Sequence, residues 1–464
     1  MINVESSGRA ARSSFSGGRR AAGLVFDPPF RRSPGRHIGI ISCLIPSKHG
    51  NGSRLVHSVQ AVATPNAASC APAPELLMRI SDLEWLLEAG PNPLLTTQPA
   101  LRLMPSAEEI AGVKLPAMTC SFASEVHPQY EQVKVECDEW IERVAELPSQ
   151  AARCFLRDCL LPRLVCRFIP GALPGRRLLQ AIKLVAWLMI ADDDDDDPTV
   201  LGSDYTATCH RADRILTILT QPADAFVDQR LWNYDLLDDR LSKRCSRQLA
   251  TLADLWREMS PDMSPLLRSR FTSSMVDYLE GIKMQASLRK QGRVPNVESY
   301  IQIRRHASFT IPAFIIAEYA SGIELDQAAV DNANVMQLMN NAVDYISLWN
   351  DIFSCYKEIL VGDYFNLPSI LYMHATPITN SATNCAYFQH AINHVAQLTQ
   401  DLEASCASLI ESLIEEHSKP SVDPSRRYHI YSYIEVITLG MSGALAWFSE
   451  TPRYPHPDTQ DQLN

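Results

Sequence analysis

From about Val113 onward, apolar side chains recur at intervals of three and four, and short polar or proline-bearing breaks separate the runs. That is the spacing of one face of an α-helix. The runs predict helices over Tyr130 to Leu147, Gln150 to Phe168, Arg177 to Asp192, Ala207 to Thr220, Asp238 to Met259 and Leu266 to Arg289. They continue over Val297 to Ser321, Asn332 to Leu360, Asn366 to His374, Tyr387 to His417 and His429 to Phe448. Pro312 is expected to kink the run that contains it. Several runs are apolar nearly all round, which suits helices at the centre of a bundle. No strand-period segment of comparable length is present, and no internal repeat is visible. The pattern predicts one all-α domain over residues 113–464.

Residues 1–112 lack this pattern. Up to Gln60 there are nine Lys/Arg and only two acids, and Gly, Ser, Pro and Arg dominate from Ser13 to Arg20 and from Pro28 to Pro34. This low-complexity, basic composition is that of a disordered extension. It also has the make-up of an organelle transit peptide, and a wrongly joined upstream stretch is a third reading. Leu77 to Gly90 could form one short amphipathic helix before a proline-punctuated linker.

The net charge of −11 argues against nucleic acid as a main partner, because phosphate binding needs a basic face. Twelve cysteines are scattered without a C-x-x-C pair or zinc-finger spacing, which reads as reduced thiols in a reducing compartment, the cytoplasm. Leu179 to Ala191 and Tyr433 to Phe448 are too short, and too interrupted by Lys183 and Glu435, to span a membrane. Either a monomer or a homodimer is compatible with all of this.

Candidate chemistry begins at Trp349 to Glu358. Asn350, Ser354 and Glu358 are four apart and four apart again, so on a helix each step turns by only about 40° and the three oxygens share a face. An all-oxygen set suits Mg²⁺ better than zinc. The same spacing also describes a solvated face. Lys357, beside the carboxylate, could meet an anion that a metal brings.

A second acidic cluster follows the apolar helix from Leu178 to Ile190: six aspartates, Asp192 to Asp197, then Pro198. Like charges at the negative end of a helix dipole are unfavourable unless cations sit there. Asp192 and Asp196 could share one face and hold Mg²⁺, although polyaspartate is also a common solvated loop. Arg304 and Arg305 lie among apolar neighbours, and Arg453 lies just past the last helix. Two metal-type clusters with Arg304, Lys357 and Arg453 describe a site for diphosphate, whose oxygens suit Arg forks and bridging Mg²⁺.

The chain at this point resembles the class I terpene synthases, and more narrowly fungal sesquiterpene synthases of secondary metabolism. Asn350-Asp351-x-x-Ser354-x-x-Lys357-Glu358 matches that family's second metal motif, and Trp187, Met189, Asp192 and Asp193 follow its aspartate-rich motif. Tyr300 to Arg305 resembles the diphosphate-sensor segment, Arg453-Tyr454 the closing pair, and Gly362-Asp363-x-x-Asn366 the stretch after the second motif. Lys114-Leu115-Pro116 and Tyr130-Glu131-x-Val133-Lys134 look like the start of the domain. The departures are Met189 in place of an aromatic, Ala307 and Phe309 where Thr and Gly are usual, and an ambiguous register within the aspartates.

The resemblance implies a helical bundle around a central cavity that takes a linear isoprenyl diphosphate, farnesyl diphosphate being the expected one. It implies three Mg²⁺, held by Asp192, Asp193 or Asp196 on one side and by Asn350, Ser354 and Glu358 on the other. Arg304, Lys357, Arg453 and Tyr454 would bind the diphosphate. Ionisation and cyclisation would follow, with Trp187, Phe309, Tyr345, Trp349 and Trp447 as candidate wall aromatics. A geranyl or geranylgeranyl substrate, a chain-elongating prenyl synthase, a helical scaffold and a catalytically degenerate binding homologue are the alternatives. Asn350/Ser354/Glu358, in place of a second aspartate-rich motif, counts against chain elongation.

Overall fold

A computed structural model describes residues 40–45, 54–59, 100–145, 147, 149–198, 200–220, 239–375 and 381–455. The chain divides into two units, 1–66 and 67–464. In the first, β1 (Ile40–Ile45) pairs antiparallel with β2 (Arg54–Val59), Ile40 opposite Val59 and Ile45 opposite Arg54. Ile, Leu and Val concentrate in these two paired segments. The helix expected over Leu77 to Gly90 lies outside the described residues.

The second unit forms α1 (Ala107–Ile110), α2 (Tyr130–Ala145), α3 (Gln150–Asp158), α4 (Leu161–Phe168), α5 (Arg176–Asp196), α6 (Tyr205–Thr220) and α7 (Asp239–Met259). It continues with α8 (Pro265–Gln291), α9 (Val297–Ala307), α10 (Thr310–Ser321), α11 (Gln327–Val330), α12 (Ala333–Val361), α13 (Leu367–Ala375), α14 (Ser381–Ser418) and α15 (Pro424–Glu450). Among its described residues every regular element is helical. The bundle starts upstream of the boundary expected at residue 113. Ala100, Leu103 and Ile110 are buried, and Asn384 donates to Glu109 Oε1 at 2.6 Å. A Ser106/Glu109 capping box starts α1 there.

Helix α12 is the central element. Its apolar residues are buried on nearly every side, and it packs against α14, α15, α9, α13 and α10. It ends at Gly362, whose φ of 81° is a conformation that favours glycine.

Three differences from the expected helices shape the site. The run from Gln150 to Phe168 breaks at Leu160, φ 56°, and Pro162 sits in the first turn of α4, where no amide donor is needed. The run from Val297 to Ser321 breaks at Ser308 and Phe309, not at Pro312. Pro312 falls in the first turn of α10, and Phe309 takes a left-handed φ of 56°. Helix α5 runs on through Asp196, past the expected end at Asp192.

Close approach of α15 to α4 completes the wall around the cavity. A Cβ on Gly443 would overlap the Arg167 carbonyl oxygen, so only glycine permits that approach.

Candidate active site

A cavity of about 550 Å³ lies between α4, α5, α9, α10, α12 and α15. Much of its wall is apolar, with Leu188, Ile346 and Ala444 among the lining residues. Phe309 and Trp447 line it as expected, but Trp187, Tyr345 and Trp349 do not; they are buried in the surrounding core. The reason is helical phase. Trp349 precedes the cavity-facing Asn350 by one residue and is turned about 100° away. Trp187 instead donates its indole N–H to the Gln248 carbonyl at 2.7 Å. Phe155, Phe168 and Phe448 supply wall aromatics that no motif marks.

At one end of the cavity the polar residues gather. Asn350, Ser354, Lys357 and Glu358 of α12 face Asp192, Asp193 and Asp196 of α5, with Arg304, Arg453 and Tyr454 at the same end. All ten sequence-selected site residues line this one cavity.

Helix α12 splits its motif between two faces. Asn350, Ser354 and Glu358 face the cavity. Asp351 is fully buried behind them, accepting from Tyr300 Oη at 2.6 Å, the Leu367 amide at 3.0 Å and Arg304 Nε at 2.8 Å. Arg304 also donates to Asn350 Oδ1 at 2.6 Å, while Arg305 turns away to Asp344. Asn350 donates to Tyr454 Oη at 3.0 Å, and the Tyr454 ring packs edge-on against Trp447 and Phe448. The C-terminal segment is thereby anchored at the cavity.

The aspartate run also divides. Asp193 accepts from Arg453 at 2.7 and 3.0 Å and from Lys357 at 3.3 Å. Burial would raise its carboxyl, but Arg453 and Lys357 outweigh burial and hold it at about 2. Asp192 accepts from Tyr278 Oη at 3.2 Å, and Arg304 only partly offsets what raises it. Burial, then Asp196, Asp195 and Asp193, push its carboxyl well above the usual range. Asp196 accepts from Arg289 at 3.2 Å.

Asp194 and Asp195 point the other way, into the bundle. Asp195 accepts from Arg211 Nη1 at 3.1 Å, and Asp194 accepts from Gln248 at 3.1 Å and Arg244 at 2.9 Å. Even so, burial pushes Asp195 up to about 6. These partners explain why α5 continues past Asp192: the repulsion expected of six like charges is met by cations from α6, α7, α8 and α12.

Among the described residues no group of three or more His, Cys, Asp or Glu converges as a metal cluster. The shared donor set is instead mixed: one amide, one hydroxyl and one carboxylate. That set fits a hard divalent cation. Ser354 Oγ is buried and makes no hydrogen bond of good geometry, as a donor atom awaiting a cation would. Burial, then Asp363, raise Glu358 to about 8, against a pull from the nearby Ser354 hydroxyl. Asn366 orients Glu358, donating to Oε2 at 2.7 Å.

Arg289, Arg211 and Tyr278 escaped the sequence reading. A signal existed for two of them. Tyr278, Ile282, Gln285 and Arg289 recur at four, three and four along the buried face of α8, and a charge at such a position needs a buried partner.

Residues 183–405 match the family model described as "Terpene synthase family 2, C-terminal metal binding". The chain is 26% identical over 339 residues to Microbial Terpene synthase-like protein 13 of Selaginella moellendorffii, covering 73% of this chain and 86% of that protein. It is 26% identical over 344 residues to Sesquiterpene synthase Agr3 of Cyclocybe aegerita, covering 74% and 88%. Its fold is similar to the crystal structure of a-eudesmol synthase, with a TM-score of 0.59 at 16% identity over 72% of this chain and 99% of that one. The matched stretch contains both acidic clusters and the Arg304 between them, and those are the residues that meet across the cavity; over that stretch the chain is similar to the terpene synthase family.

Proposed function

We propose that this protein is a Mg²⁺-dependent sesquiterpene synthase that ionises farnesyl diphosphate and converts the resulting cation to a hydrocarbon or alcohol. The observation that carries this reading is the division of one cavity into a charged end and an apolar, aromatic-lined remainder.

At the charged end Arg304, Lys357, Arg453 and Tyr454 bind the diphosphate oxygens. In the free protein these groups are held by Asp351, Asn350 and Asp193. Substrate binding exchanges those partners for phosphate oxygens, so the donors are already oriented when charge develops. Asp192, Asp196, Asn350, Ser354 and Glu358 would hold Mg²⁺, three ions by family analogy, which supply positive charge for the departing diphosphate.

The allylic C–O bond then breaks, its electron pair leaving with diphosphate. The aromatic faces of Phe309, Phe168, Trp447 and Phe448 stabilise the carbocation. Tyr454, anchored to Asn350, helps exclude water until the cation loses a proton or is captured by water.

The test is incubation of the purified protein with C10, C15 and C20 isoprenyl diphosphates, with Mg²⁺ or with EDTA, followed by analysis of headspace and extracts. A Mg²⁺-dependent C15 product is expected. No terpene from any of the three substrates would sink the reading; a C10 or C20 product alone would correct the chain length.

A further inference from the structure

Arg289 is buried, with its side chain only 3% exposed, and its one guanidinium spans two elements far apart in sequence. Nε and Nη2 donate to the two oxygens of Asp363 at 2.9 and 2.7 Å. Nη2 also donates to Asp196 Oδ1 at 3.2 Å, and Nη1 to the Asp195 carbonyl at 3.4 Å. The Phe365 ring lies against it, 4.8 Å from the guanidinium carbon.

Asp363 is tied to the second donor set. It follows the glycine that ends α12, its amide donates to the Glu358 carbonyl at 2.9 Å, and Asn366 three residues on holds the Glu358 carboxylate. Asp196 belongs to the first set, one turn beyond Asp192. The bidentate pair with Asp363 would by itself satisfy a buried Arg. The added reach to Asp196 and the Asp195 carbonyl joins α5 to the end of α12. Without it, Asp196, Asp363 and Glu358 would repel one another across the gap.

We propose that Arg289 is a positioning residue that holds the aspartate turn of α5 and the Glu358-bearing end of α12 at a fixed separation, so that magnesium diphosphate meets both donor sets already assembled. This rests on the terpene synthase reading for its ligand.

Arg289→Lys keeps the charge, but a single ammonium lacks the planar fork needed for these contacts. Asp363→Asn leaves Arg289 in place and weakens the other half of the bridge. Both full-length variants would be compared with the unmodified chain by thermal melting, by calorimetric binding of inorganic diphosphate in Mg²⁺, and by the Mg²⁺ dependence of turnover. Both should melt cooperatively and bind magnesium diphosphate roughly ten- to a hundredfold more weakly. The half-saturating Mg²⁺ concentration should rise in step, with kcat recovering at saturating Mg²⁺.

Unchanged binding in both variants overturns the proposal, whatever the melt does, and so does a kcat that excess Mg²⁺ fails to restore. If the unmodified chain binds magnesium diphosphate but makes no terpene, while the variants bind weakly, the bridge stands and the functional reading falls. If it makes terpene and the variants bind normally, the reverse holds. If it neither binds nor turns over, both fall.

Discussion

Asp193 and Asp195 are two residues apart on one helical turn, and they have opposite electrostatic lives. Asp193 faces the cavity, where Arg453 and Lys357 hold its carboxyl at about 2. Asp195 faces the bundle, where burial outweighs Arg211 and pushes it to about 6. By position the same division puts Asp192 and Asp196 on the cavity side and Asp194, bound by Gln248 and Arg244, on the bundle side, although burial raises all three carboxyls. In a run of identical side chains, role is set by the face of the helix and by what the facing helices bring to it. In the proposed reading the cavity face receives the ligands, while the bundle face meets Arg211, Arg244 and Gln248.

The sharpest way to break this contrast is to neutralise one residue on each face. On the cavity side, Asp192→Asn, Asn350→Ala or Glu358→Gln should lower kcat on the order of 10²- to 10³-fold, leaving far-UV circular dichroism unchanged. Near-full activity in Asn350→Ala or Glu358→Gln would misplace the α12 cation site. On the bundle side, Asp195→Asn leaves Arg211 buried beside Gln248 without its carboxylate. Because burial already disfavours the ionised carboxylate, the neutral amide should leave stability at pH 7 equal to or above that of the unmodified chain by chemical denaturation. Turnover per folded molecule should stay within about tenfold of the unmodified chain. A variant with intact stability and no activity would move Asp195 to the catalytic side.

Acid titration of stability in EDTA separates the faces next. Asp193 titrates lower folded than unfolded, so its contribution is present above its unfolded value near ~4 and is lost as pH falls toward 2. Asp195 titrates higher folded, so its contribution is full below ~4 and is lost as pH rises through 6. Asp193→Asn should flatten the curve between pH 4 and 2, and Asp195→Asn between 4 and 6. The same window for both variants would remove the distinction. The smallest effect expected is from Asp194→Asn. Arg244 is 37% exposed and can turn to water, so the change in stability should stay within about 1 kcal/mol in the same denaturation assay.

Most helices of the bundle were legible from apolar spacing alone, because each needs one buried stripe and the stripe has a fixed period. The polar end of the cavity was legible too, since Asn350, Ser354 and Glu358 lie on one helix and their spacing is local. The partners of the aspartates were not. Arg211 and Arg289 reach Asp195 and Asp196 from other helices, and such pairings leave no mark near either residue. That is also why α5 was expected to stop at Asp192. The break at Phe309 was hidden by Pro312, the stronger local signal, which a first helical turn accommodates. Aromatics in or beside a motif stand out in the sequence whichever way they face. Trp187 and Trp349 are of that kind, and their phase turns them into the core; Phe155 and Phe168 stand on helices with no motif and line the cavity.

The homopolymeric make-up of the turn has a consequence for copying errors in the gene. Gain or loss of one aspartate codon, the usual slip in a repeat, leaves positions 192–196 occupied by aspartate in every case, and each keeps its own partner. The displaced residues are those from Pro198 onward. There the Leu201 and Gly202 amides close on the Asp194 and Asp197 carbonyls at 3.1 and 2.9 Å, and a Cβ at Gly202 would come within 2.9 Å of the Asp195 and Asp196 carbonyl oxygens. A slip therefore spares the carboxylates and strains the return turn. Second-site changes that recover such a slipped chain are expected between 198 and 204, not among the residues that line the cavity.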